Sequence, residues 1–300
     1  MIKFEFFIVL FLLTCCQLAA QNTDSLRFKI EQFISTKNAT VGVAVEGDNG
    51  KDIFSINGDQ HFPLQSVFKF HIALVVLTQI DKGKLFFEQK IKIEKKDLLP
   101  NLYSPIREKY PQGTTLTIAE ILKYTVSESD NVGCDILLRL IGGPGEVNDF
   151  FVKNKVKNIS IKDNEETQQG NWDLQFQNWT TPKAANETLQ KFYNNKPKLL
   201  SQKSYDFIWK LMKGTSTGSY RLKGHLPKDV IVAHKTGSSG TNKEGVTAAV
   251  NDIGIIFLPD GRYFFISVFV TNSKEDDVKN DEIIAEISNK CYEYFLKKTR

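Results

Sequence analysis

The sequence has few of the residues that metal sites and disulfide frameworks require. Its 300 residues include only four cysteines and four histidines. The histidines are His61, His71, His225 and His234, and no His-x-His or Cys/His spacing links them, which argues against a metal site. Cys134 and Cys291 each stand in an apolar helical pattern far apart in the chain, so we expect two buried free thiols.

The sequence also lacks any concentration of charge of one sign. Lys and Arg total 39, Asp and Glu total 35, and the formal net charge is +4. The lysines are scattered, with no basic block and no alternation of basic and aromatic residues, so nucleic-acid binding is unsupported. Beyond the first 20 residues no segment has the length and apolarity of a membrane span, and no repeat or low-complexity linker interrupts the chain. We therefore expect an ordinary globular protein with a large core.

The first 20 residues differ from the rest and resemble a targeting segment. Lys3 precedes an apolar core over residues 6–13, and polar residues follow Ala20. This pattern predicts a secretory signal peptide (1–20), cleaved after Ala20, and export to the periplasm. The apolar core is too short to span a membrane. A lipidated first residue at Cys15 or Cys16 is the alternative, although the residues before them fit a lipoprotein cleavage box poorly.

Strand-like patterns lie at both ends of the chain and helical patterns lie between them. Strands are predicted at 41–46 and 52–56, as a hairpin, and at 230–236, 247–258 and 263–271. Helices are predicted at 24–35, from Ser66 to about residue 80, and at 117–124, 134–141, 147–153, 182–193, 205–212 and 277–296. Residues 162–177 are polar and aperiodic, which predicts a long functional loop. The order predicts an α/β protein of the α+β type: one antiparallel sheet from both chain ends with flanking helices (about 21–60 and 215–300), plus an inserted helical region (about 61–214).

Ser66 and Lys69 are three residues apart at the start of a long apolar run. In a helix they share one face of the first turn, where the lysine amine can take the proton of the weakly nucleophilic hydroxyl. Alone, Ser-x-x-Lys is also typical of a helix N-cap followed by a solvated lysine. Two further short motifs follow in order, Ser129-Asp130-Asn131 between two predicted helices and Lys235-Thr236-Gly237 on a predicted strand.

In this order the three motifs resemble the signatures of class A serine β-lactamases and the related penicillin-binding proteins. The resemblance covers essentially the whole mature chain. Residues 63–70, residues 124–140 and Gln177-Asn178-Trp179 are similar to the extended-spectrum, cephalosporin-hydrolysing branch. It implies the serine β-lactamase/penicillin-binding-protein fold and hydrolysis of penicillins and cephalosporins, which gives antibiotic resistance. It also implies a monomer that acts on small-molecule β-lactams without a metal or other cofactor.

The resemblance also implies a role for each motif residue. Ser66 is the nucleophile, Lys69 helps to remove its proton, and Ser129 relays a proton to the departing lactam nitrogen. The backbone N–H groups of Ser66 and Ser238 form the oxyanion hole. The implied substrate-binding residues are Tyr103, Asn131, Gln169, Arg221, Lys235, Thr236, Gly237 and Ser238. Two of them have simpler interpretations, since Arg221 resembles a surface arginine and Tyr103 a tyrosine packed on a turn.

Deacylation requires a base that activates water, and the resemblance places this base on the 162–177 loop. Counting from Ser129 and from Trp179 favours Glu165, with Glu166 as the alternative. Two adjacent acids in a polar loop are otherwise only solvated. A deacylating base separates a lactamase from two rivals, a penicillin-binding DD-peptidase that stays acylated and a lactam-sensing binding domain.

The loop departs from the family pattern at two places. Gln169 stands where the family usually has an asparagine that helps to hold the hydrolytic water. Asp163 and Asn178 stand near the two positions where most class A enzymes carry an Arg–Asp pair. We therefore expect an altered loop fold and a wider site.

Overall fold

The computed structural model describes residues 23–298, so the predicted signal peptide lies outside the described residues. The strands are β1 (Thr40–Gly47), β2 (Ile53–Ile56), β3 (Phe62–Pro63), β4 (Lys90–Ile93), β5 (Thr114–Thr117), β6 (Ile159–Ser160), β7 (Trp179–Thr180), β8 (Val232–Ser238), β9 (Val250–Phe257) and β10 (Tyr263–Thr271). The main sheet has the order β2-β1-β10-β9-β8 and is antiparallel throughout. Because β1 pairs with β10, from Thr40↔Thr271 to Gly47↔Phe264, the prediction of one sheet built from both chain ends is confirmed.

Helices cover the sheet and fill the middle of the chain. They are α1 (23–34), α2 (Phe68–Asp81), α3 (Pro105–Lys109), α4 (Ile118–Ser127), α5 (Asn131–Ile141), α6 (Pro144–Lys153), α7 (Glu165–Gly170), α8 (Pro182–Asn194), α9 (Gln202–Lys213) and α10 (Asp277–Lys297). Short 3₁₀ turns lie at Gln65–Val67, Lys95–Asp97 and Trp172–Phe176. No helix among residues 23–298 is both long enough and apolar enough to cross a membrane.

The main sheet separates two apolar clusters. Alternate residues of β10 point to opposite faces, as the period of a strand requires. Phe265 and Phe269 join the cluster around α2, whereas Ile266 and Val268 join the cluster under α1 and α10. Helix α2 is buried from Phe68 to Thr78, as its almost uninterrupted apolar run predicts. The helix that follows Ser66 is therefore a rigid core element.

Three local features differ from the sequence-based prediction. The α-helix after Ser66 begins at Phe68, and Ser66 itself lies in the 3₁₀ turn before it. Helix α5 begins at Asn131 and not at Cys134, because the Asp130 side chain caps it by accepting the Gly133 N–H at 2.7 Å. Residues 162–177 contain the short helix α7, which Asn164 caps by accepting the Thr167 N–H at 2.9 Å. A helix this short leaves no apolar periodicity in the sequence.

Both cysteines of the described chain are free and fully buried, so the expectation of two buried thiols is confirmed. Burial raises the pKa of the Cys134 thiol, and it likewise raises the pKa of the Cys291 thiol. Both side chains therefore stay protonated and pack as small apolar groups.

Candidate active site

A cleft of about 270 Å³ opens where the start of α2, the α7 segment and the end of β8 meet. Most of the predicted site residues line it. The lining residues are Gln65, Ser66, Tyr103, Ser129, Asn131, Glu165, Gln169, Thr217, Thr236, Gly237 and Ser238. Residues from six separate parts of the sequence are thus brought to one surface.

Lys69 lies at the centre of the polar contacts below the cleft. Its Nζ donates to Ser66 Oγ at 2.6 Å and to Asn131 Oδ1 at 2.6 Å, and it contacts the Glu165 carboxylate. Its side chain is fully buried. A lysine that joins a serine hydroxyl to a buried carboxylate provides a route for the hydroxyl proton. The interpretation of Ser66 as a helix cap is wrong, since the 3₁₀ turn and α2 both begin without a side-chain cap.

The structure separates the two adjacent loop acids. Glu165 is buried and faces Lys69, whereas Glu166 is exposed to solvent. Asp135 on α5 fixes this orientation, because its Oδ1 accepts the Glu165 N–H at 2.8 Å and its Oδ2 accepts the Glu166 N–H at 3.0 Å. Burial raises the pKa of the Asp135 carboxyl to about 6, against the lowering effect of the backbone N–H groups.

Ser129 and Lys235 form a second polar pair on the opposite side of the cleft. Lys235 Nζ donates to Ser129 Oγ at 2.9 Å and to the Thr236 carbonyl at 3.0 Å. Burial lowers the pKa of the Lys235 ammonium well below its usual range, and the nearby charge of Lys69 lowers it further. Ser129 has a left-handed φ of 61°, a conformation that its surroundings must hold.

Asp130, the middle residue of the Ser129-Asp130-Asn131 motif, has a structural role. Asp130 is fully buried, and its carboxylate accepts the Ser104 hydroxyl at 2.8 Å and the backbone N–H groups of Ile106 at 2.7 Å and Gly133 at 2.7 Å. Burial raises the pKa of Asp130, while these donors favour its ionised form. Asp130 thereby ties the start of α5 to α3 and presents Asn131 to Lys69.

Arg221 lies behind the end of β8, with its side chain only 11% exposed. Its Nε donates to Asp281 on α10 at 2.7 Å, and its Nη2 donates to Ser238 Oγ at 2.7 Å. Its Nη1 donates to the carbonyls of Gly237 and Asn251, each at 3.0 Å. Arg221 is therefore a braced residue, and the interpretation of a free surface arginine is wrong. Its charge lies directly beside the Ser238 hydroxyl at the cleft.

Gln169 and Tyr103 form parts of the cleft wall. Gln169 is on α7, the same helix as Glu165, and Tyr103 is 54% exposed at the cleft edge. The Tyr103 carbonyl accepts the Asn131 N–H at 3.0 Å, so the tyrosine backbone is tied to the site while its ring remains accessible. Burial raises the pKa of its phenol, and the charge of Glu108 raises it further.

The neck of the loop is closed by an amide and not by an ion pair. Asn178 is fully buried, and its Oδ1 accepts the N–H groups of Lys162 at 2.7 Å and Asp163 at 3.0 Å. Its Nδ2 donates to the Asp163 carbonyl at 2.7 Å. All the contacts of Asn178 at this neck are thus with the backbone, and the Asp163 side chain takes no part in them.

Sequence reasoning missed four residues that shape the site: Asp135, Thr217, Asn251 and Asp281. Asp135 could have been predicted to lie near the site, because it is four residues after Asn131 and thus on the same face of a helix. Thr217 Oγ1 is 2.6 Å from Thr236 Oγ1 and adds a second hydroxyl to the cleft. Asn251 and Asp281 contact groups that are distant in sequence, and no spacing rule points to them.

A cluster with the composition of a cation site lies away from this cleft. The ligand atoms of His225, Glu282 and Glu286 are within 4.8 Å of one another. His225 pairs with both carboxylates, at 3.0 Å and 3.5 Å, and Lys290 pairs with Glu286 at 2.8 Å. The contacts of His225 and Lys290 with these surface carboxylates account for the cluster.

Comparisons with known proteins agree with this fold and site. Residues 25–295 match the model of the Beta-lactamase enzyme family. The chain is 58% identical over 276 residues to the β-lactamase VEB-1 of Pseudomonas aeruginosa, covering 92% of each chain. The solved structure of the TLA-1 extended-spectrum β-lactamase is 50% identical with a TM-score of 0.89, covering 92% of this chain and 100% of that one. A class A β-lactamase from Bacteroides cellulosilyticus is 39% identical with a TM-score of 0.88, covering 92% and 99%. The chain therefore belongs to the β-lactamase enzyme family, as a serine enzyme of class A.

Proposed function

We propose that the enzyme opens β-lactam rings through an acyl-enzyme on Ser66, which water activated by Glu165 then hydrolyses. The observation that carries this proposal is the position of Lys69, whose Nζ contacts Ser66 Oγ, Asn131 Oδ1 and the Glu165 carboxylate at once. Exclusion of water strengthens each of these electrostatic contacts. The alternative base Glu166 faces solvent and has no such contact with Lys69.

In the acylation step, Ser66 Oγ attacks the lactam carbonyl carbon and its proton passes to the Lys69–Glu165 pair. The carbonyl oxygen becomes an oxyanion between the backbone N–H groups of Ser66 and Ser238. The carbonyl then re-forms as the lactam C–N bond breaks, and the nitrogen takes a proton from Ser129. The ammonium of Lys235, 2.9 Å from Ser129 Oγ, favours this transfer. Ser129 is reprotonated in turn by the proton that left Ser66, so the step consumes no net proton.

Several polar groups hold the substrate during this step. The Asn131 amide donates to the side-chain carbonyl of the lactam. Thr236 and Ser238 bind its carboxylate by hydrogen bonds, while the charges of Lys235 and Arg221 attract it. Gln169 helps to hold the hydrolytic water beside Glu165, and Tyr103 contacts the substrate at the cleft edge.

The proposed substrates are penicillins and cephalosporins, including extended-spectrum cephalosporins. The similarity to TLA-1, which is named an extended-spectrum β-lactamase, supports this range. The amide-closed neck at Asn178 supports it further, because the loop that carries Glu165 departs here from the Arg–Asp pair of most class A enzymes. Steady-state rates on a panel of penicillins and cephalosporins test the proposal, and turnover of penicillins alone would contradict it.

The mechanism is tested by trapping the intermediate. We expect the Glu165→Gln enzyme to accumulate an acyl adduct on Ser66 after mixing with a cephalosporin, visible by intact-protein mass spectrometry. The Glu166→Gln enzyme is the matched control, with the same change one residue away, and we expect it to turn over normally. Unchanged turnover by Glu165→Gln would exclude the base, and hydrolysis by Ser66→Ala would exclude the nucleophile. A stable adduct on the unmodified enzyme would favour the DD-peptidase.

The enzyme is further proposed to be exported as a periplasmic monomer whose mature catalytic domain begins at residue 21. The charged, apolar and small-residue segments of residues 1–20 support this proposal. The intact mass of the protein from a periplasmic extract tests it, since cleavage after Ala20 and lipidation at Cys15 or Cys16 give different masses. Size-exclusion chromatography with light scattering tests the monomer.

A further inference from the structure

Asn251 on β9 is a buried polar residue that has no role in the proposed mechanism. It is fully buried, and its Nδ2 donates to the carbonyls of Pro63 at 2.8 Å and Leu64 at 3.2 Å. Carbonyl oxygens only accept, so this contact fixes which side of the amide faces the turn before Ser66. The Oδ1 of Asn251 has no hydrogen-bond partner within residues 23–298, so the side chain acts there as a donor.

The Leu64 carbonyl is a junction between the Ser66 turn and the sheet. It also accepts the Val67 N–H at 3.2 Å, which closes the 3₁₀ turn around Ser66. A Cβ placed on Gly237 would lie 2.6 Å from this oxygen, so the turn is packed directly against the backbone of β8. Any shift of the Leu64 peptide therefore moves Ser66 relative to β8.

The turn needs such external support. Gln65, the residue before Ser66, has a left-handed φ of 46°, which costs a non-glycine residue of the order of 1 kcal/mol. No side chain caps the turn. The amide of Asn251 therefore helps to hold a strained segment whose own sequence does not favour it.

Asn251 also lies on the strand that pairs with β8, and β8 carries the other half of the site. It is the register partner of Gly237, the residue before Ser238. The carbonyls of Asn251 and Gly237 both accept Arg221 Nη1 at 3.0 Å, so the guanidinium clamps the two strands at this point. The side chain of Asn251 thus holds the Ser66 turn, while its backbone is fixed beside Ser238.

We propose that Asn251 is a positioning residue that sets the separation between Ser66 and Ser238, whose N–H groups form the oxyanion hole. The inference rests on the proposed function, because that function assigns the oxyanion hole to these two residues. Such donors stabilise the developing oxyanion when they lie about 2.7–3.1 Å from it. Loss of the Asn251 donor should therefore slow the chemical step and weaken the polarisation of the acyl carbonyl.

The test uses the Glu165→Gln enzyme, in which the acyl adduct is expected to persist. Into it we place Asn251→Ala, which removes the amide, and Asn251→Leu, which keeps about the same size but has no N–H. We expect acylation to slow by about 10-fold to 100-fold in both. We also expect the infrared stretch of the ester carbonyl to move to higher wavenumber, since a less polarised carbonyl has a stronger double bond.

Asn186→Ala in the same background is the matched control. Asn186 is also a buried asparagine, but it lies on α8 and contacts β10, accepting the Ser267 hydroxyl at 2.7 Å. We expect this variant to lose stability without changing the carbonyl stretch or the acylation rate. Circular dichroism checks that each variant is folded, and Asn251→Leu provides the test if Asn251→Ala does not fold.

The outcomes separate the two proposals. If Glu165→Gln alone forms no adduct, the proposed mechanism fails and the inference fails with it. If the adduct forms but both Asn251 variants keep the parent acylation rate and carbonyl stretch, only the role of Asn251 is overturned. That role is also overturned if the Asn186→Ala control shifts the stretch as much as the Asn251 variants do.

Discussion

Asp135 Oδ1 accepts the backbone N–H of Glu165 at 2.8 Å, so a carboxylate on α5 holds the proposed base of deacylation in place. Its second oxygen accepts the next N–H, that of Glu166, at 3.0 Å. Both bonds need the ionised form of Asp135, because a protonated oxygen is a donor and faces another donor. The position of Glu165 therefore depends on the charge of a residue that does not touch the cleft.

The first prediction concerns the pH dependence of deacylation. Burial raises the pKa of Asp135 to about 6, so as the pH falls from about 6 to about 5 its protonation should displace the Glu165 backbone and slow deacylation by up to about 10-fold. The Asp135→Asn enzyme should deacylate slowly even at neutral pH, with less additional loss on acidification. Single-turnover deacylation rates from about pH 5 to about pH 8 measure this. Superimposable profiles of parent and variant would contradict it.

A second prediction concerns the effect of the Asp135 carboxyl on stability. Its pKa in the folded protein lies above the ordinary value of 3.8, so the folded state binds this proton more tightly than the unfolded state does. The stabilisation from Asp135 is therefore fully present below about pH 4 and is lost as the pH rises through about 6. We expect the melting temperature of the parent to fall relative to that of Asp135→Asn as the pH rises over this interval. A difference that is constant with pH would refute the assignment.

A third prediction concerns the alkaline limit of activity. The pKa of Lys235 is lowered by burial, so its charge should be lost at a lower pH than that of an ordinary lysine. The charge favours both the Ser129 proton transfer and the binding of an anionic substrate. We expect kcat/KM to fall on the alkaline side and this fall to move to higher pH in Lys235→Arg, whose guanidinium stays charged. An alkaline limb at the same pH in both enzymes would contradict the prediction.

The fourth prediction separates binding from chemistry at Arg221. We expect Arg221→Ala to raise KM by about 10-fold, because the guanidinium attracts the substrate carboxylate. We expect a smaller fall in kcat, because its bonds to the carbonyls of Gly237 and Asn251 also support the strand that carries Ser238. Arg262→Ala is the matched control, since Arg262 pairs with Asp260 in the turn between β9 and β10, at the opposite end of β9 from Asn251. Equal effects of the two substitutions on KM would exclude this role of Arg221.

The sequence predicted the proposed reactive groups of the site better than the residues that hold those groups in place. Ser66, Lys69, Ser129 and Lys235 stand in three short motifs that in this order resemble the class A signatures, and it was this resemblance that pointed to them, since Ser-x-x-Lys alone is also typical of a helix cap. Glu165 was predicted as the base by counting from these motifs, and the structure buries it beside Lys69. Strand alternation and apolar runs likewise predicted the sheet and α2, because burial imposes its period on the sequence.

The supports could not be predicted because their partners are backbone groups far along the chain. Asn251 reaches carbonyls 187 and 188 residues away, and Asp135 reaches N–H groups 30 and 31 residues away. Any residue supplies a backbone N–H or C=O, so the partner leaves no mark in the sequence. The left-handed φ of Gln65 is equally hidden, since glycine is the residue that usually announces that conformation.

Asn178 provides the last prediction, which concerns the neck of the Glu165 segment. Its amide satisfies two N–H groups and one carbonyl at this buried position. Asn178→Ala should leave these groups unpaired and lower the free energy of unfolding by about 1–3 kcal/mol for each group that water cannot reach. Asn178→Asp keeps the two accepted bonds but loses the donor and buries a charge, so it should also destabilise the protein.

The contacts at this neck join uncharged groups, so salt should not weaken them as it weakens an ion pair. An Arg–Asp pair at such a neck weakens as ionic strength rises, whereas an amide bonded to backbone groups does not. We therefore expect the loss of stability in Asn178→Ala to be the same at low salt and at about 1 M salt. Denaturant unfolding at the two salt concentrations measures the loss, and single-turnover deacylation reports whether Glu165 is displaced as well. A salt-dependent loss would mean that a charged contact, such as one through the Asp163 carboxylate, closes the neck instead.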